Sequence, residues 1–128
     1  MALCLAATAA AAQAVDERVT QGTLRSTICK RGWSESVRPP YEWSHAHKQR
    51  LMRERGIPAS EFGAWTLDHI QPIEDGGSPA DPRNLQLQTK AAALAKDLDE
   101  NRIHWNICNG RSTLAEGQAE MLRLWPPR

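Results

Sequence analysis

Residues 65–88 read WTLDHIQPIEDGGSPADPRNLQLQ, and their reading decides the fold. Trp65, Thr66 and Leu67 alternate in the manner of a strand, which delivers Asp68 and His69 to its end. Gly76-Gly77 and Asp81-Pro82 are turn signals, and beyond them Leu85 and Leu87 alternate with polar neighbours as a second short strand would. From residue 90 to 108 the period changes. Leu94, Leu98 and Trp105 recur on one side at helical spacing, with Ala91 and Ala95 beside them, and Asn109-Gly110 supplies a helix stop. Strand, loop, strand and helix in that order predict a small α+β domain.

At 128 residues the chain suits a single domain with a modest core. Charged residues make up 24% and the net charge is +1, which excludes a broad basic field for gripping nucleic acid. Any such contact must be local. Five tryptophans are expected to anchor the core.

Residues 1–14, MALCLAATAAAAQA, are uncharged, mostly small and apolar, and end in an A-x-A pattern. They predict a signal peptide cut before Val15, too short to span a bilayer, and hence a periplasmic or secreted bacterial protein without stable membrane insertion. Its removal leaves Cys29 and Cys108, an even number that suits an oxidising compartment. A disulfide is expected between them; two separate buried thiols are the competing reading.

Residues 15–22 are polar and read as a flexible leader, so that the domain proper is residues 23–128. Through residue 40 the mixture of β-branched, Gly, Ser and Pro residues lacks helical spacing and predicts an extended arm. Ser44 is the expected N-cap of a basic surface helix ending near Arg55, before Gly56 and Pro58. A last helix follows Ser112-Thr113 and stops at Pro126-Pro127. His45 and His47 lie two apart, on different sides of a helix, which argues against joint metal ligation.

Asp68-His69-Ile70-x-Pro72, then Gly76-Gly77, then Asn84-Leu85-Gln86 resembles the HNH endonuclease motif. Gly-Gly-Ser-Pro-Ala-Asp-Pro-Arg-Asn-Leu, Lys96-Asp97, Glu100 and Cys108, with Thr27-Ile28-Cys29 and Val37-Arg38-Pro39-Pro40 in the arm, is similar to a subgroup of small exported bacterial HNH-like proteins. The resemblance covers most of the chain after residue 22. It implies a ββα-metal unit over about residues 65–108, flanked by further helices and the arm.

Phosphodiester hydrolysis explains the residue types. The phosphate oxygens are already negative, so attack needs a cation to neutralise the charge that builds on the phosphate and the leaving oxygen. Asp68 is a hard oxygen ligand for Mg²⁺, with Mn²⁺, Ni²⁺ or Zn²⁺ as other candidates. His69 titrates near neutrality and is the candidate general base. The resemblance implies that Asn84 orients its imidazole. In ordinary HNH motifs a His or Asn about nine residues later completes the metal site, and here that position is Ala93, with the customary basic residue following as Lys96. A helical count puts Ala93, Asp97, Glu100 and His104 in a stripe roughly 60° wide. Asp97 is therefore the expected second ligand, with Glu100 or His104 as alternates. Arg83 and Lys96 are the expected phosphate contacts. The function implied is metal-dependent hydrolysis of DNA; the alternative is an inactive HNH-like module that binds nucleic acid or protein.

Overall fold

The computed structural model describes residues 15–128, so the signal peptide expected over residues 1–14 lies outside the described residues. Strand β1, Trp65–His69, pairs antiparallel with β2, Leu85–Thr89, in a register that sets Trp65 opposite Thr89, Asp68 opposite Gln86 and His69 opposite Leu85. The two strands form a two-stranded sheet. Two helices precede them, the short α1, Trp33–Val37, and α2, Tyr41–Glu54. Two follow: α3, Lys90–Cys108, directly after β2, and α4, Leu114–Leu124. The small α+β domain is thus as expected.

The long connection between the strands is held by its glycines. Gly76 adopts φ +91°, and a Cβ on Gly77 would come within 1.7 Å of the Gln71 carbonyl oxygen. Only glycine permits that approach. At the far end of the loop Asp81 caps the turn Pro82–Asn84 by accepting from the Arg83 backbone N–H at 2.9 Å. The chain then enters β2, and the Thr89 side chain caps α3.

The core lies between α3, α4 and the segment before α1. It contains Val19, Ile28, Ile103, Ile107, Leu114 and Met121. The close approach of α4 to α3 depends on Gly117, where a Cβ would stand 2.5 Å from Ile107 Cδ1.

Four expectations are corrected here. Residues 15–22 are packed rather than loose: Val15 bridges Gly77, the Asp16 N–H donates to the Gly76 carbonyl at 2.8 Å, and Val19 is buried. The arm is not extended, since it holds a 3-10 turn over Gln21–Ser26 and α1. Helix α2 begins directly after Pro40, ahead of Ser44, because proline supplies a pre-set φ and needs no N–H at a helix start. Of the tryptophans, only Trp33 and Trp125 pack half-buried against the core, and none is fully buried.

Cys29 and Cys108 form the expected disulfide, 79 residues apart in sequence. It ties the arm to the last turn of α3. Replacing both cysteines by serine is expected to lower stability by about 4 kcal/mol on the chain-entropy relation. A thermal melt that is indifferent both to this change and to reductant would contradict that role.

Candidate active site

The strand register puts Asp68 and Gln86 side by side, and the Gln86 Nε2 donates to Asp68 Oδ2 at 2.9 Å. The same oxygen accepts from Lys96 Nζ at 2.6 Å. Lys96 rises from α3 and is fully buried, with Nζ also donating to the His69 carbonyl at 2.6 Å and the Ile70 carbonyl at 3.3 Å. An ammonium tolerates burial when its donors and charge are all matched, as here. Lys96 therefore braces the site from beneath instead of meeting a phosphate, which corrects its expected role. No protein donor reaches Asp68 Oδ1 among the described residues.

His69 is largely buried, and its Nε2 lies 2.9 Å from the Pro79 carbonyl oxygen. A carbonyl only accepts, so Nε2 carries the proton and Nδ1 keeps its lone pair. Burial pushes the imidazole below its ordinary value; the Pro79 carbonyl and Asp68 oppose this, while Arg38 and Lys96 reinforce it. The ring is accordingly neutral at pH 7.

Asn84 is fully buried but does not touch the imidazole. Its Oδ1 accepts from the Gln71 N–H at 2.8 Å, while Nδ2 donates to the Gln71 carbonyl at 3.0 Å and the Ser78 carbonyl at 2.8 Å. These bonds fix the loop residue next to Pro79. Asn84 thus positions the carbonyl that positions the histidine, which corrects its expected direct contact.

Asp68, His69, Ala93, Asp97 and Glu100 all line one cavity of about 310 Å³, completed by Glu74 and Arg38 among others. The helical count was therefore right for Ala93, Asp97 and Glu100. His104 lies further along, with its Nδ1 2.6 Å from the Glu74 carbonyl oxygen, and lines a neighbouring cavity. Arg83 is also elsewhere, held by Asp81 at 2.8 Å and lining a third cavity with residues 15–18.

No family model, curated protein or solved structure matches the chain.

Carboxyl groups crowd the cavity. Burial lifts Glu74 above its ordinary value, and burial together with Asp68, Asp97 and Glu74 lifts Glu100 to about 7 against the pull of Lys96. Behind them Asp75 is fully buried, with neither carboxyl oxygen hydrogen-bonded; burial, Glu74 and Glu100 push it up to about 9. Four carboxyls line the cavity, against Arg38 at its wall and Lys96 below. Such a pocket attracts cations and repels phosphate unless a cation is present.

Among the described residues no three His, Cys, Asp or Glu side chains gather closely enough to encage an ion. Mg²⁺ does not need a cage, since it keeps several waters and takes one or two carboxylates plus substrate oxygens. The free Asp68 oxygen and Asp97 fit that requirement, with Glu100 in the same wall. The site offers a softer ion no thiolate, because Cys29 and Cys108 are bridged.

The pattern of residues did not reveal Arg38, Glu74, Gln86 or the Pro79 carbonyl. Gln86 was open to discovery, since pairing Leu85 with His69 puts it opposite Asp68; the others depend on the path of the loop and arm.

Asp75 makes stability depend on pH. Its folded-state value is raised, so the stability of the neutral carboxyl is fully present below pH 3.8 and is lost as pH rises through about 9. Asp75→Asn, which cannot ionise, is expected to flatten the fall in melting temperature between pH 4 and 9 and to exceed wild type at pH 8. A parallel decline in both proteins would contradict an unpartnered carboxyl.

Proposed function

We propose that this protein is a divalent-metal-dependent endonuclease of the HNH type that hydrolyses phosphodiester bonds in DNA. One observation carries the reading: a neutral His69, its Nε2–H taken by the Pro79 carbonyl, lines the same cavity as Asp68 and Asp97. The order β1, long loop, β2, α3 supports a ββα-metal unit. The strand-end pair Asp68-His69 and the loop-locking Asn84 support the same reading.

The chain's own residues then have distinct tasks. Asp68 and Asp97 would hold Mg²⁺, with Glu100 beside them. When bound, the ion neutralises charge on the phosphate and on the departing oxygen. His69 takes a proton from the attacking water at Nδ1, as a base already neutral at pH 7. Lys96 and Gln86 hold one oxygen of Asp68 and leave the other for the ion. Asn84 fixes the loop so that the imidazole cannot turn. Water adds to phosphorus, the O3′ bond breaks, and the leaving oxygen takes a proton from solvent.

The disulfide and the pattern of residues 1–14 support a periplasmic or secreted location. No described helix is long and apolar enough to cross a membrane. A second reading, a binding module that has lost catalysis, is favoured by Ala93, which lines the cavity where the motif expects a metal ligand.

Supercoiled plasmid separates the two. Nicking is expected with Mg²⁺ or Mn²⁺ and none with chelator, and His69→Ala is expected to lower the rate by roughly 10²–10⁴-fold. In wild type the midpoint of the acid-side fall in kcat/KM is expected below pH 6.5, because burial lowers the histidine from its ordinary value. Metal-dependent nicking that His69→Ala leaves intact would contradict the mechanism; no nicking under any of these conditions would favour the binding module.

A further inference from the structure

Both cations expected to grip phosphate are otherwise engaged, Lys96 under the site and Arg83 on Asp81. The arm supplies others. Arg38 lines the cavity that holds Asp68 and His69, while Lys30 and Arg31 line a neighbouring cavity of about 570 Å³. The two cavities share Ser34 and Glu74 in their walls, so they adjoin.

All three cations are exposed, and none has an ion pair among the described residues. Arg18, Arg50, Arg83 and Arg102 are each matched to a carboxylate, and the exposed Arg53, Arg55 and Arg123, though unpaired, line neither of these cavities. An exposed cation beside carboxyl-lined cavities, yet paired with none of them, is available to an anion. Glu35 and Glu74 are the carboxylates of the second cavity.

The spacing suits a polyanion. Lys30 and Arg31 precede α1 and Arg38 follows it, and a five-residue helix is about 7.5 Å long. Along a duplex one strand presents a phosphate about every 3.4 Å of axis. The two ends of α1 therefore stand far enough apart to meet different phosphates of one strand. The disulfide fixes the arm in advance, since Cys29 immediately precedes Lys30 and is bonded to α3. A rigid anchor lowers the ordering cost of binding.

We propose that Lys30, Arg31 and Arg38 form the substrate-binding surface, on which one phosphate backbone of DNA runs from the Asp68-His69 cavity across α1 into the neighbouring cavity. The proposal deepens the nuclease reading by naming where the substrate lies, and it rests on that reading.

The test measures binding rather than turnover. A labelled DNA duplex is titrated with the disulfide-bonded protein in a His69→Ala background with Mg²⁺, across a range of NaCl concentrations. With Lys30→Ala, Arg31→Ala and Arg38→Ala combined, the slope of log affinity against log salt is expected to shrink by about 2–3, at roughly 0.9 per lost phosphate contact. Affinity at 0.1 M salt should fall at least tenfold. The control triple Arg53→Ala, Arg55→Ala and Arg123→Ala removes the same charge elsewhere and should leave the slope unchanged. Conversion of both arm arginines to lysine should preserve it.

An unchanged slope in the arm variant, or an equal loss in the control, overturns the surface. So does a parent protein that does not bind DNA. Plasmid nicking by proteins with His69 intact separates the two claims. Nicking whose KM is indifferent to the arm substitutions overturns the surface and leaves the nuclease reading standing. Arm-dependent binding without nicking supports the surface and overturns the nuclease reading.

Discussion

The buried ammonium of Lys96 is the constraint on which the rest of the structure depends. It is fully enclosed, and its hydrogen bonds reach the side chain of Asp68 and the carbonyls of His69 and Ile70. One side chain from α3 therefore fixes the end of β1, the start of the long loop and the candidate metal ligand together. Removing an ammonium from water costs several kcal/mol, and only matched acceptors offset that. This demand keeps one oxygen of Asp68 engaged. It also fixes α3 in rotation, which turns Ala93, Asp97 and Glu100 toward the cavity and Leu94 and Leu98 toward solvent.

Around that ammonium the electrostatics conflict by arrangement. The cavity holds more carboxyls than nearby cations, and burial raises Glu74 and Glu100 above their ordinary values. A stable core would not need such crowding, and a phosphate-binding pocket would not tolerate it without a cation. The arm places Lys30 and Arg31 outside this acidic centre and Arg38 in its wall. An inner region suited to a divalent ion and an outer basic edge suited to a backbone can coexist in a chain whose net charge is only +1.

The hairpin, its loop and the long helix were legible because their signals are local: alternation at Leu85 and Leu87, the paired glycines, and the Asn109-Gly110 stop. The phase of α3 was not. Leu94, Leu98 and Trp105 carry the helical period but are exposed, while the buried positions include Lys96 alongside Ile103 and Ile107. Apolar spacing finds the period of a helix, and here a tertiary ion pair sets which face turns inward. The arm escaped detection because 3-10 turns and a five-residue helix leave little periodicity to read. The role of Asn84 was not legible, since its partners Gln71 and Ser78 are brought to it by the loop it closes.

The central claim is that a neutral imidazole, protonated on Nε2, stands beside a site that takes a divalent ion. It is tested most directly by long-range ¹H–¹⁵N spectra of the histidine side chains at pH 7 during a titration with Mn²⁺. His69 is expected to appear as the neutral Nε2–H tautomer, with signals that broaden before those of His45 and His47. A His69 ring that is doubly protonated at this pH, or one left sharp while Mn²⁺ broadens the other histidines, would contradict it.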